Sequence, residues 1–139
     1  MDTTQQQNRD LGIGHSILLV DDDAVMRFMN REILLQIFPF AMVWEAKSGY
    51  EAIAICCQKK PDVILMDVQM PLMDGYETTR RLRESPDLRG IPIVALTAGI
   101  LQTEHERCID AGMDDVILKP IDNLKLKTAV EGQINKGRR

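Results

Sequence analysis

Polar side chains follow four of the short apolar runs in this sequence. They are Asp21 to Asp23 after residues 17–20, Asp67 after 63–66, Thr97 after 91–96 and Lys119 after 116–118. Crowded carboxylates repel one another and are costly to bury unpaired, and a hard divalent cation such as Mg²⁺ offsets that repulsion. An ammonium and a hydroxyl can hold a phosphoryl group, whose transfer depends mainly on positioning and charge neutralisation. The set predicts metal-assisted phosphoryl transfer in which Asp67 is the nucleophile and forms an acyl phosphate.

Each of these residues, taken alone, has a simpler explanation. An aspartate run after a strand most often caps a helix or lies in a solvated loop. A single threonine or lysine at a strand end is most often structural or exposed. The combination is more specific, because every member follows an apolar run that is itself predicted to be a strand.

Elements that could position these side chains alternate along the chain from about Ser16. The predicted strands are residues 17–20, 43–46, 63–66, 91–96 and 116–118. The predicted helices are residues 24–37, a segment capped by Ser48, residues 75–83, residues 103–111 and a segment capped by Asn123. This alternation is typical of an α/β fold with a parallel sheet, in which ligands bind beyond the carboxyl ends of the strands. The polar side chains should therefore share one crevice.

Helical spacing of apolar residues indicates which helix faces contain the apolar stripes. In the first helix the stripe consists of Val25, Phe28, Met29, Ile33 and Ile37. In the last helix it consists of Leu124, Leu126 and Val130. The third helix is polar and arginine-rich, so we expect it to be the most solvated of the set. The second strand contains Glu45 and is expected near a sheet edge.

Composition narrows the class of protein. The 139 residues suffice for one domain with a core, 45% are apolar and 27% are charged, as in a soluble globular protein. A net charge of −4 argues against direct DNA binding. No apolar run approaches the roughly 18 residues of a membrane segment. Three cysteines without a CxxC pair favour free thiols in a reducing cytoplasm, so a cytoplasmic location is expected. We expect a flexible leader over residues 1–15, a folded domain over 16–131 and a basic tail over 132–139.

Four segments of the sequence resemble response-regulator receiver domains. They are ILLVDDD (17–23), DVILMDVQMPLMDG (62–75), IVALTA (93–98) and GMDD through LKP (112–120). The resemblance extends from about Ser16 to Val130. It implies a flavodoxin-like (βα)5 fold with a five-stranded parallel sheet of order 2-1-3-4-5 and helices on both faces.

The resemblance also implies a role for each site residue. Asp67 would be the phosphoacceptor, Thr97 the switch hydroxyl and Lys119 the phosphate-binding ammonium. The implied ligands of Mg²⁺, with Mn²⁺ as an alternative, are Asp21, Asp22, Asp67 and the backbone carbonyl of Gln69. A cis peptide bond is implied before Pro120. The family often has an aromatic residue three positions before the lysine, where this chain has Val116, so a threonine-to-aromatic relay is not expected.

Partners and context follow from the same resemblance. The phosphoryl donor would be the histidine of a sensor histidine kinase or of a histidine phosphotransfer domain. The motifs are most similar to receivers of hybrid histidine kinases; a single-domain response regulator and a phosphorylation-independent protein-binding receiver are the alternatives. The first helix, with Met26, Met29 and Asn30 as candidates, would contact the partner. We expect a monomer or a weak phosphorylation-dependent dimer.

Two other classes fit the sequence less well. A phosphatase of the haloacid dehalogenase kind needs a carboxylate two residues after the nucleophile, and Gln69 stands there. A flavin-binding protein needs a loop rich in Ser, Thr or Gly after the first strand to hold its phosphate, and three aspartates stand there instead.

Overall fold

Five parallel strands form one sheet in this computed structural model, which describes residues 3–4, 7, 11, 13–99 and 101–137. The strands are β1 (Ser16–Val20), β2 (Met42–Ala46), β3 (Val63–Asp67), β4 (Ile93–Thr97) and β5 (Asp115–Leu118). Their order is β2-β1-β3-β4-β5, so the predicted order is confirmed, as is the edge position of the strand that carries Glu45.

Five helices cover both faces of the sheet, as predicted. They are α1 (Ala24–Ile37), α2 (Gly49–Lys59), α3 (Gly75–Glu84), α4 (Gln102–Ala111) and α5 (Asn123–Gly137). Buried residues of α1 and α5 pack into one core, and those of α2, α3 and α4 pack into a second core on the opposite face. Strand β3 contributes to both, because Ile64 and Met66 belong to one core and Val63 and Leu65 to the other. Burial on both faces explains why the strand is a continuous apolar run.

Helix caps fix where the chain leaves the sheet. Ser48 caps α2 as predicted, since its hydroxyl accepts a hydrogen bond from the Glu51 N–H at 3.1 Å. The cap predicted at Asn123 is wrong, because the carboxylate of Asp122 accepts hydrogen bonds from Leu124 N–H at 2.8 Å and Lys125 N–H at 3.3 Å. The capping side chain must precede the first helical residue, and Asn123 is already helical.

The predicted apolar stripe of α1 includes residues that do not face the core. Val25, Phe28 and Met29 are 66%, 62% and 51% exposed. The helix instead buries Asn30 and Leu34. Both sets recur at helical spacing, so periodicity could not identify the docking face, which is set by the contact with the sheet. In α5, Leu126 and Val130 are buried as their spacing indicates, whereas Leu124 is 71% exposed.

Helix α3 is not the most solvated helix. It buries Tyr76, Thr78, Thr79 and Leu82 despite its arginines. The hydroxyls of Thr78 and Thr79 donate to backbone carbonyls one turn earlier, each at 2.8 Å. Because these hydroxyls are satisfied within the helix, burying them costs little.

Both predicted terminal segments lie partly outside the described residues. Of the leader, residues 1–2, 5–6, 8–10 and 12 are outside, as are Arg138 and Arg139 of the predicted tail. The described part of the tail continues α5 to Gly137. Within the described chain, no helix has both the length and the apolar character needed to cross a membrane.

Candidate functional site

Three carboxylates meet at the carboxyl ends of β1 and β3. Asp21, Asp22 and Asp67 each offer an oxygen, and these atoms all lie within 4.8 Å of one another. Sheet register explains the meeting, because Val20 pairs with Met66 and the next residue of each strand path is an aspartate. Asp21 and Asp67 are buried, whereas Asp22 is exposed. The structure therefore brings together the three carboxylates that the sequence predicts as a metal site.

Asp21 has one carboxylate oxygen without a protein partner. Its Oδ1 accepts the Asp23 N–H at 2.9 Å, whereas Oδ2 is buried and lacks a hydrogen-bond partner within the described part of the chain. Burial raises the pKa of Asp21, and the charges of Asp67 and Asp22 raise it further. The hydrogen bond from Asp23 and the charge of Lys119 act in the opposite direction. A nearby cation would therefore stabilise the ionised form of the Asp21 carboxyl group.

The Asp67 carboxylate lies beside the predicted ammonium. Lys119 Nζ is 3.4 Å from Asp67 Oδ1, and the lysine side chain is only 23% exposed. The backbone N–H of Gln69 donates to the same oxygen at 3.3 Å. The peptide bond between Lys119 and Pro120 is cis, as expected. A metal-binding role of the Gln69 carbonyl stays a prediction.

Thr97 is buried at the carboxyl end of β4, and its carbonyl is hydrogen-bonded to the residue that follows β5. Lys119 N–H donates to the Thr97 carbonyl at 2.8 Å, which places both residues at the same edge of the sheet. The Thr97 hydroxyl accepts the Gly99 N–H at 3.0 Å. The hydroxyl is therefore tied to the segment that leads into α4.

The donor set fits a magnesium ion. Three carboxylates supply the hard oxygen ligands that Mg²⁺ prefers, and the buried Asp21 Oδ2 has no hydrogen bond of its own among the described residues. Lys119 and the Gln69 N–H both contact Asp67 Oδ1.

Gly75 is a site-forming residue whose role could not be derived from the sequence. A Cβ atom added there would lie 2.6 Å from the Asp67 carbonyl oxygen and 2.9 Å from Val68 Cα. The Gly75 N–H donates to the Val68 carbonyl at 2.9 Å. Helix α3 thus begins directly against the backbone of the candidate phosphoacceptor. The glycine was visible in the sequence, but nothing local to it indicated this close approach.

Comparison with known proteins identifies the family. Residues 17–131 match the sequence profile of the response regulator receiver domain. The chain belongs to this family. This receiver domain is 38% identical over 135 residues to probable histidine kinase 2 of Oryza sativa subsp. japonica, covering 86% of this chain and 13% of that protein. It is 33% identical over 106 residues to the polar-differentiation response regulator DivK of Brucella ovis, covering 76% of this chain and 85% of DivK.

Solved structures of receiver domains match the fold closely. The receiver domain of a signal transduction histidine kinase from Syntrophus aciditrophicus aligns with a TM-score of 0.81 at 32% identity, covering 90% of this chain and 93% of that one. The receiver domain of a sensor histidine kinase from Pseudomonas aeruginosa, solved with a magnesium ion in its active site cleft, aligns with a TM-score of 0.79 at 34% identity. That alignment covers 87% of this chain and 98% of the other. Probable histidine kinase 2 of Oryza sativa is much longer than this chain, which spans 13% of its length. The chain is thus a receiver domain of the kind found in two-component signalling.

Proposed function

We propose that Asp67 accepts the phosphoryl group, from a phosphohistidine of a sensor histidine kinase or of a histidine phosphotransfer domain, with Mg²⁺ bound by the acidic cluster. The observation that carries this proposal is the position of the Asp67 carboxylate. It lies within 4.8 Å of Asp21 and Asp22 oxygens and 3.4 Å from Lys119 Nζ. No other strand of the sheet ends in an aspartate held between such groups within the described chain.

Each residue of the site would have a separate role in the phosphoryl transfer. An Asp67 carboxylate oxygen forms the new P–O bond as the P–N bond to the partner's imidazole breaks, and the imidazole nitrogen leaves with the electron pair. Lys119 exchanges its pairing with the Asp67 carboxylate for pairing with the phosphoryl oxygens, and the Thr97 hydroxyl donates to one of them. Asp21, Asp22, Asp67 and the Gln69 carbonyl would hold Mg²⁺ (or Mn²⁺), which when bound neutralises charge on the phosphoryl group.

Switching would begin at Thr97. Its hydroxyl holds the Gly99 N–H at 3.0 Å, and a phosphoryl group on Asp67 would draw the hydroxyl away. The segment from Thr97 to Leu101, of which Ile100 lies outside the described residues, would then move together with α4. Val116 offers no ring to rotate inward. Relaxation dispersion that shows no exchange in this segment between free and phosphorylated forms would refute this route.

The partner surface would lie on α1. Of the three residues predicted to contact the partner, Met29 is exposed and Met26 is half-buried, but Asn30 is buried and the prediction for it is wrong. Val25 and Phe28 are further exposed apolar residues on this helix, which follows the acidic loop. Such a patch beside a charged crevice suits an amphipathic helix that presents a histidine. Similarity to much longer histidine kinases supports a place within a hybrid kinase, and the match to DivK over most of its length supports the single-domain alternative. In either context we expect the domain to lie in the cytoplasm.

The decisive test is the intact mass of the protein after incubation with acetyl phosphate, with and without magnesium, beside Asp67→Asn. We expect one added phosphoryl group that requires magnesium and is absent from the variant. Absence of an adduct with acetyl phosphate, phosphoramidate and a phosphorylated phosphotransfer domain would contradict the proposal. The receiver would then be a binding module that works without phosphorylation.

A further inference from the structure

We propose that Arg27 is a positioning residue for metal binding, which acts by fixing the backbone of Asp21. The inference rests on the proposed magnesium site. Arg27 Nη1 donates to the Asp21 carbonyl oxygen at 2.9 Å. Arg27 is in the first turns of α1, so this hydrogen bond joins the helix to the loop that presents the acidic cluster.

Oδ2 is the only carboxylate oxygen of Asp21 without a hydrogen bond within the described chain. Its N–H donates to the Ala46 carbonyl at 3.1 Å, its carbonyl accepts from Arg27, and its Oδ1 accepts the Asp23 N–H. Oδ2 is the buried atom that has no hydrogen bond in the described structure. Because both ends of the residue are held, the direction of Oδ2 is set before any ligand arrives. Arg27 is one of the groups that set it.

A second contact orients the guanidinium of Arg27. Its Nε lies 3.5 Å from Glu45 Oε1, and the arginine side chain is only 18% exposed. Arg31 binds the other oxygen of Glu45 at 3.2 Å and donates to the Val43 carbonyl at 3.0 Å. Glu45 lies in β2, whose residues pair with β1. The two arginines therefore clamp α1 to β2, but Arg27 also holds the Asp21 carbonyl.

Arg27 acts on this site through geometry. Its guanidinium donates to the backbone carbonyl of Asp21 and is paired with the carboxylate of Glu45. A planar guanidinium can donate to the carbonyl and to the carboxylate at once, because its N–H groups point in fixed directions. A lysine ammonium in the same place keeps the charge but cannot reproduce both directions.

The experiment measures Mg²⁺ affinity by isothermal titration calorimetry, so its readout does not depend on phosphorylation. Partners behind metal ligands typically change affinity by 10- to 100-fold, and we expect Arg27→Ala to weaken binding by about tenfold. Arg27→Lys should fall between Arg27→Ala and the wild type. Arg31→Ala is the matched control, because it removes the other half of the clamp on Glu45, and its affinity should stay within about twofold of the wild type.

A double-mutant cycle distinguishes a specific effect of Arg27 on the position of Asp21 from a general loss of structure around the site. If Arg27 acts through Asp21, Arg27→Ala should change the affinity of Asp21→Asn by less than about twofold. Circular dichroism and urea unfolding check that each variant is folded, and Arg27→Gln replaces Arg27→Ala if the latter unfolds. The inference is overturned if Arg27→Ala binds as the wild type does, if Arg31→Ala weakens binding equally, or if Arg27→Ala weakens Asp21→Asn by the full tenfold. A wild type that binds no Mg²⁺ would instead overturn the proposed function.

Discussion

Replacing Gly75 by alanine tests whether α3 is seated against the phosphoacceptor. The added methyl would lie 2.6 Å from the Asp67 carbonyl oxygen and 2.9 Å from Val68 Cα. These are backbone atoms at the end of a central strand, so no side chain can rotate away to make room. Gly132, in the middle of α5, is the matched control, because a methyl there would meet nothing within 4 Å.

The two substitutions should change the free energy of unfolding in opposite directions. Overpacking costs about 1–3 kcal/mol, and alanine recovers at most about 1 kcal/mol of helix propensity relative to glycine. We therefore expect Gly75→Ala to lower the free energy of unfolding by about 1–2 kcal/mol. Gly132→Ala should raise it by about 0.5–1 kcal/mol, because only the propensity gain applies. A change of 1 kcal/mol corresponds to a shift in Tm of about 4 °C for a chain of this size.

Urea unfolding followed by circular dichroism measures both stabilities, and acetyl phosphate labelling measures the site. Misplacement by about 1 Å can cost 100-fold in rate. Because α3 and β3 can each move by part of the distance needed to relieve the clash, Asp67 should be displaced by less than about 1 Å. We therefore expect phosphorylation of Gly75→Ala to be about tenfold slower. The rate of Gly132→Ala should be unchanged. The steric argument is wrong if Gly75→Ala is as stable as the wild type and is phosphorylated at the same rate.

Two further predictions concern the thiols and a helix cap. Cys57 is exposed whereas Cys56 and Cys108 are buried, so iodoacetamide at about pH 8 should label one thiol in the native chain and three in denaturant. Burial raises the pKa of Cys56 from 9.0 to about 12; the unfolded thiol therefore ionises first, and stability should fall as the pH rises through that window, less steeply in Cys56→Ala. Native labelling of Cys56 would contradict both statements. Asp122→Ala should destabilise the protein by about 1 kcal/mol in urea unfolding and Asn123→Ala by less than about 0.5 kcal/mol, and equal losses would refute the observed cap.

The strands and the site could be predicted from the sequence because both depend on local patterns. A strand that is buried on both faces is a continuous apolar run, and the residue that follows it lies at the sheet edge where ligands bind. The largest shift was in β4, predicted to begin at residue 91 and observed from Ile93. Pro92 lacks an N–H and lies just before the strand.

The faces of the helices could not be predicted as well. In helix α1 the exposed apolar residues and the buried residues Asn30 and Leu34 both recur at helical spacing, and only contact with the sheet selects the buried set. In α3, buried threonines satisfy their hydroxyls within the helix, which composition does not indicate. The contacts of Gly75 and Arg27 join elements far apart in the chain or in different layers. Such contacts depend on how the elements pack, so no local sequence pattern predicts them.

Alternation along β3 limits how this domain can change in length. Consecutive residues of the strand belong to opposite cores, so inserting or deleting one residue would exchange the cores of all strand side chains beyond that point. A change of two residues would restore the alternation but would displace Asp67 by about 6.6 Å along the strand, away from Lys119. The strand can therefore diverge by substitution but not by changes in length. Length variation in descendants of this sequence should accumulate in the loops at the amino ends of the strands, opposite the acidic cluster.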